Sequence, residues 1–95
     1  MEIHKKILPE HFDALASGEK TFELRLNDED LQDAKPGDVL VLEEWTDTGP
    51  SRKPTDRTIR KTISCASRFT LNDLATWWPR EEIEQKGLVI FSFKD

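Results

Sequence analysis

Short stretches in which apolar and polar residues alternate, separated by Pro and Gly, predict strands interleaved with short helices. A first strand is predicted over residues 2–8, and Pro9 then suits the first position of a helix that Gly18 ends. Residues 39–42 form a continuous apolar run, which is typical of a central strand covered on both faces. Further strands are predicted at 20–26, 58–64 and 88–93, with helical turns after Thr70 and Pro79. Because the pattern shows no regular βαβ repeat, it indicates a single α+β domain over residues 1–95.

The charged run at residues 18–25 is the most informative part of this pattern, because charges at the start of a half-buried strand cost free energy. Alternation places three apolar side chains on one side of the predicted strand: Phe22, Leu24 and Leu26. Glu23 and Arg25 share the other side, and Lys20 joins them only through a twist, a bulge or a place in the preceding turn. One interpretation is a solvated strand end with an internal ion pair. The other is a pocket where Lys20 and Arg25 bind an anionic or polar ligand, while Glu23 orients them or accepts a proton.

Residues 18–25 also fit the G-x-K-x-x-E-x-R signature of the ASCH domains, which belong to the PUA-like superfamily of small β-barrels. Residues 4–14, 27–28, 36–45 and 87–91 resemble the segments that flank this signature in small bacterial and phage ASCH proteins, whereas residues 47–86 match loosely. The resemblance implies a PUA-like mixed barrel of about five to six strands with two or three short helices. It also implies a cleft that binds RNA or a nucleoside, edged here by Lys20, Glu23 and Arg25.

An enzymatic alternative comes from the same resemblance, since one ASCH branch is similar to amidohydrolases that act on acylated nucleosides such as N4-acetylcytidine. In that branch the signature Lys works with a Thr three residues later and with a Glu from a later segment. Lys20 matches the Lys, but Glu23 occupies the Thr position, and the later Glu is one of three candidates: Glu81, Glu82 or Glu84. The catalytic candidates are therefore Lys20 and Glu23, with Glu23 as a general base. A protein-interaction module is a third alternative.

Residues 51–70 form a basic segment with six basic residues and one acid, although the net charge of the chain is −5. Such a segment on an acidic body can guide an anionic partner to one face, although ordinary solvated charges give the same pattern. Two adjacent tryptophans follow, which stack on bases when exposed or cover one end of a small barrel. The predicted nucleic-acid contacts are Arg52, Lys53, Arg57, Arg60, Lys61, Arg68, Trp77 and Trp78.

The remaining chemistry-bearing residues give weaker signals. His4 is predicted to hydrogen-bond at the floor of the cleft, and the sequence offers no pattern for a metal or other cofactor. Cys65 is expected to be a buried small apolar residue, and a single cysteine fits a reducing cytoplasm. Residues 43–45 are expected to lead from the central strand to the surface, with Trp45 at the rim of the core. We expect a cytoplasmic monomer with neither a signal region nor a membrane span.

Overall fold

Three strands and three helices make up the structure, a computed structural model that describes residues 1–47 and 49–87. In chain order the elements are β1 (Glu2–Ile7), α1 (Pro9–Ala16), β2 (Val39–Trp45), β3 (Pro54–Thr62), α2 (Leu71–Trp77) and α3 (Arg80–Lys86). The predicted α+β class is confirmed, as are the first strand, the first helix and the central strand. The strand predicted at residues 88–93 lies outside the described residues.

The sheet has the order β1-β2-β3, with β1 parallel to β2 and β2 antiparallel to β3. The parallel register runs from Glu2 beside Val39 to Ile7 beside Glu44. A bulge between Glu43 and Trp45 interrupts the antiparallel ladder. The described residues therefore form an open mixed sheet and not a closed barrel.

Residues 20–26 are not a strand, so this prediction is wrong. The polar side of the segment turns toward the body of the domain, because Glu23 and Arg25 are hydrogen-bonded to each other and Arg25 is bonded to β1. The apolar side is largely exposed, with Leu24 at 71% and Leu26 at 82%. Polar anchoring thus decides the orientation of this segment, and the apolar alternation does not.

The core lies between the sheet and α1. Ile7 on β1 and Leu42 on β2 pack against Phe12 and Leu15 of α1, and Leu42 is only 1% exposed. A second cluster joins Ile3 to apolar residues of the connection between α1 and β2, namely Leu31 and Ala34. Strand parity explains this arrangement, because residues two or four apart on β1 point to the same face.

Two burial predictions are wrong. Glu44 does not lead outward but is 3% exposed, since the side chains of Thr55 and Arg57 on β3 supply partners for its Oε1. β3 begins at Pro54, several residues before the predicted start, because its pairing with β2 continues beyond the bulge to Trp45. Cys65 is exposed, because it follows β3 in an irregular segment rather than lying within a strand.

Helices α2 and α3 begin directly after Thr70 and Pro79, as the sequence predicts. The Thr70 hydroxyl accepts a hydrogen bond from the Asp73 amide at 3.0 Å, and the Asp73 carboxylate accepts one from the Thr70 amide at 2.8 Å. This reciprocal pair is a capping box, which satisfies amides that the first turn of a helix leaves unbonded. Gly87 has a φ of 69°, a conformation that favours glycine, and it ends α3.

Asp38 links the start of β2 to neighbouring segments and makes the fold sensitive to acid. Its pKa is lowered, first by the Met1 ammonium at 3.1 Å, against the opposing effect of burial, and further by the Lys35 amide and ammonium. A carboxylate with a lowered pKa stabilises the fold above its unfolded pKa of about 3.9, and that contribution is lost as the pH falls through the folded pKa.

We therefore expect Asp38→Asn to lower the melting temperature at neutral pH. The difference from the wild type should shrink only below about pH 4, because protonation then removes the same charge from the wild type. Thermal melts of both proteins between about pH 7 and pH 2 measure this difference. An equal difference at every pH would show that the carboxylate charge is not responsible.

Candidate functional site

The structure brings Lys20, Glu23 and Arg25 together in one cluster. The Arg25 Nε donates to Glu23 Oε2 at 2.9 Å, and the Lys20 ammonium lies 3.6 Å from Glu23 Oε1. The three side chains are 17%, 13% and 29% exposed respectively. This is more burial than a solvated strand end allows, so the carboxylate is held between two cations in a partly dehydrated setting.

The turn after α1 explains how Lys20 reaches Glu23 despite its opposite strand parity. Gly18, with a φ of 82°, reverses the chain, and the Lys20 amide donates to the Ala14 carbonyl at 3.0 Å. Lys20 therefore belongs to the turn and is not bound by strand alternation. Arg25 fixes the other end of the segment, since its Nη2 donates to the Lys6 carbonyl of β1 at 2.6 Å.

His11 of α1 also joins the cluster. In the tautomer with an unprotonated Nδ1, that nitrogen accepts from the Lys20 ammonium at 3.3 Å. The Nε2 of the same ring lies 3.6 Å from Glu10 Oε1. The sequence signal for this contact was Gly18, because a reversal of the chain there brings the following residues back toward α1.

His4 is not brought into the cluster. Its Nδ1 lies 2.7 Å from Glu43 Oε1, so it pairs with β2 across the sheet surface. By strand parity His4 points to the face opposite Ile3 and Ile7, which face the core. The structure thus gives His4 a strand-to-strand contact in place of the predicted position at the cleft floor.

One known domain family matches the chain, over residues 3–75: a domain of unknown function, DUF3850. The chain belongs to the DUF3850 family. The matched residues include all of the Lys20–Glu23–Arg25 cluster and end before Trp77. Neither a curated protein nor a solved structure matches the chain.

The basic segment of this DUF3850 domain does not form one uniform cationic surface. Arg57 binds Asp13 at 2.6 Å and lies 3.5 Å from Glu44, while its guanidinium covers the Phe12 ring. The hydrogen bond to Asp13 is the main reason that the pKa of Arg57 is raised; burial opposes this, and Glu44 adds to it. Arg57 therefore stabilises the fold at the end of α1.

Two more of the predicted phosphate contacts are used within the protein. Arg60 pairs with Glu2 across the sheet. Arg68 donates to the carbonyls of Leu31 and Ala34 at 2.6 and 2.7 Å, which fastens the segment after β3 to the connection before β2. Arg52 lies near the Trp45 ring, with its Cζ 5.6 Å from the centroid. No ion pair involves Lys53 or Lys61 in the part of the chain that the structure describes.

Trp77 and Trp78 are both exposed. Their rings meet edge to face with centroids 6.0 Å apart, and Phe69 lies 5.4 Å from Trp77. They belong to α2 and its end, and no ring contact joins them to the cluster within residues 1–47 and 49–87.

The acidic residues of α3 do not supply an identifiable later Glu for the amidohydrolase arrangement. Glu82 pairs with Lys86 one turn along the same helix at 3.7 Å. Thr21, the nearest threonine to Lys20, is exposed. Among the described residues, no three His, Cys, Asp or Glu side chains are placed to hold a metal ion, and no helix is long and apolar enough to cross a bilayer.

Proposed function

We propose that this DUF3850 domain binds RNA or a nucleoside-like ligand at the Lys20–Glu23–Arg25 cluster, in the manner of an ASCH domain. The observation that supports the proposal is the carboxylate of Glu23, held 2.9 Å from one cation and 3.6 Å from another. A fixed carboxylate accepts hydrogen bonds from the amino group of a base. The flanking ammonium and guanidinium donate to carbonyl or phosphate oxygens.

The burial of the cluster favours a ligand site over a purely structural ion pair. Exposed ion pairs contribute about 0–1 kcal/mol to stability, and burial adds a desolvation cost that an internal pair need not offset. The cluster is nevertheless mostly shielded from water. A binding site accounts for this, because side chains already held in place and partly dehydrated lose less free energy when they meet a ligand.

The resemblance to ASCH domains supports RNA or a nucleoside as the ligand, and we also propose the PUA-like barrel on this basis. The order of β1, α1 and then the signature segment agrees with that resemblance. Phosphate contacts are assigned to three residues of the basic segment whose side chains form neither an ion pair nor a hydrogen bond in the described chain, in contrast to Arg68: Arg52, Lys53 and Lys61. Exposed Trp77 and Trp78 are available for stacking on bases, which contributes roughly 1–3 kcal/mol per base.

A salt series of RNA binding tests the proposal. Tryptophan fluorescence is followed while the protein is titrated with a short single-stranded RNA and, separately, with a structured RNA. We expect quenching by the single strand and an affinity that falls with salt, by about 0.7 logarithmic units per logarithmic unit of salt for each phosphate contact. Absence of binding to either RNA at low salt would refute RNA as the ligand.

An amidohydrolase is the second candidate because of two contacts that Lys20 makes. His11 Nδ1 lies 3.3 Å from the Lys20 ammonium, and Glu23 lies 3.6 Å from it, so two groups capable of accepting a proton adjoin one amine. Such an arrangement can activate the lysine or a water molecule toward an amide carbonyl. Release of free cytidine from N4-acetylcytidine, abolished in Lys20→Gln, would establish catalysis; binding without release would assign the cluster to recognition alone.

A further inference from the structure

A second polar site lies at the ends of β1 and β2, where a shallow pocket opens beside Trp45. Its walls are Lys6, Ile7, Leu8, Trp45, Asp47 and Arg52. The Lys6 ammonium lies 4.1 Å from the centroid of the Trp45 ring, and the Arg52 Cζ lies 5.6 Å from the same centroid. One indole ring therefore has two cations within about 6 Å, in a pocket that two apolar residues, Ile7 and Leu8, also line.

Lys6 and Arg52 lack the carboxylate partner that most of the basic residues around them have. Lys5, Lys20 and Arg57, for example, each have a carboxylate partner. Neither Lys6 nor Arg52 forms an ion pair within the described chain, and both side chains are exposed. Asp47 also lines the pocket and makes an interaction of its own, but the two cations outnumber it.

The charges of Lys6 and Arg52 repel each other, since contact with one ring keeps them within about 10 Å, the screening length at 0.1 M salt. An anion between them removes this repulsion and gains charge-assisted hydrogen bonds from both. Arginine and lysine together suit a phosphate group, the first as a planar fork and the second as a point charge.

Lys6 also connects this pocket to the Lys20–Glu23–Arg25 cluster. Its carbonyl accepts the hydrogen bond from Arg25 Nη2, while its ammonium lies over Trp45. Lys6 therefore belongs to both sites, through its carbonyl in the cluster and through its ammonium in the pocket. We propose that the Lys6–Arg52 pocket binds a phosphate group of the same ligand whose base binds at the Lys20–Glu23–Arg25 cluster. The assignment of that phosphate to the ligand rests on the proposed function, and it makes the ligand a nucleotide or an RNA rather than a free nucleoside.

Inorganic phosphate is the first probe, because it reports on the pocket without the cluster. The indole N–H resonance of Trp45 is followed at constant ionic strength during a phosphate titration. We expect a saturable shift, weakened about tenfold in Lys6→Gln and in Arg52→Gln and retained in Lys6→Arg, which keeps the charge. Arg80→Gln and Lys86→Gln are the matched controls, since they remove the same charges from exposed positions on α3. No saturable shift, or an equal loss in the controls, would overturn the pocket.

Cytidine, cytidine 5′-monophosphate and a cytidine dinucleotide then test the link to the cluster. We expect both phosphorylated probes to bind about tenfold more tightly than cytidine in the wild type, and Lys6→Gln to remove this preference. An equal preference for both would show that the pocket accepts terminal and internal phosphates alike, and a preference for the monophosphate alone would restrict it to a terminal phosphate. The absence of any preference, or its persistence in Lys6→Gln, would overturn the link.

The failure of this inference is distinguishable from the failure of the proposed function. If phosphate saturates as expected but Glu23→Gln does not alter cytidine binding, the cluster is not the ligand site and the link to it fails. If Glu23→Gln weakens cytidine binding but phosphate produces no saturable shift, the pocket is refuted and the cluster stands.

Discussion

Replacing Leu42 with alanine is expected to lower the free energy of unfolding by about 2–5 kcal/mol. Leu42 is 1% exposed and packs from the central strand against Ile7, Phe12 and Leu15, so its loss leaves a cavity where sheet and helix meet. Small domains have total stabilities of about 5–15 kcal/mol. This one substitution should therefore remove a large share of the stability of the protein.

Urea unfolding with a matched control measures this effect. Leu26→Ala removes the same atoms from a residue that is 82% exposed, and it should change stability by less than about 0.5 kcal/mol. The slope of the transition should be similar in both variants, because the surface exposed on unfolding hardly changes. Equal destabilisation by the two substitutions would contradict the assigned core and the orientation of residues 20–26.

Glu23→Gln is expected to weaken RNA or nucleoside binding by about tenfold or more. Glutamine keeps the shape of the side chain but removes the negative charge that Lys20 and Arg25 contact. Hydrogen bonds to charged groups contribute about 1.5–3 kcal/mol, and about 1.4 kcal/mol corresponds to a factor of ten in affinity. The loss should appear in the dissociation constant from the fluorescence titration.

Glu19→Gln provides the control for this variant. Glu19 lies in the turn after α1 and is exposed. Its backbone amide, and not its carboxylate, is hydrogen-bonded to the Ser17 hydroxyl. Glu19→Gln removes the same charge from the protein as Glu23→Gln, so any general electrostatic effect on an anionic ligand will be common to both variants. Equal affinities of the two variants would contradict a specific role for the Glu23 carboxylate.

The sequence predicts those parts of the fold that depend on local chemistry. The Pro9 start of α1, the apolar run of β2 and the capping box at Thr70 all follow from neighbouring residues, and all are present. Glu23 and Arg25 are in contact, as the alternation suggests, although their segment is not a strand. These features require no knowledge of distant partners.

Features that depend on distant partners could not be predicted in this way. The apolar residues of 20–26 suggest a core-facing side, but the hydrogen bond from Arg25 to the Lys6 carbonyl turns that side outward. Glu44 resembles a surface residue until Thr55 supplies its partner from β3. The meeting of Lys6 with Trp45 requires the parallel pairing of β1 and β2, which alternation alone does not specify.

The most direct test of the account is a titration that observes the Nε–H resonance of Arg25. This proton is held in the hydrogen bond to Glu23, so its chemical shift reports on the cluster itself. On addition of a short single-stranded RNA, we expect a saturable shift at Arg25 with the same dissociation constant as the fluorescence change. Saturable RNA binding that leaves the Arg25 resonance unmoved would contradict the cluster as the ligand site.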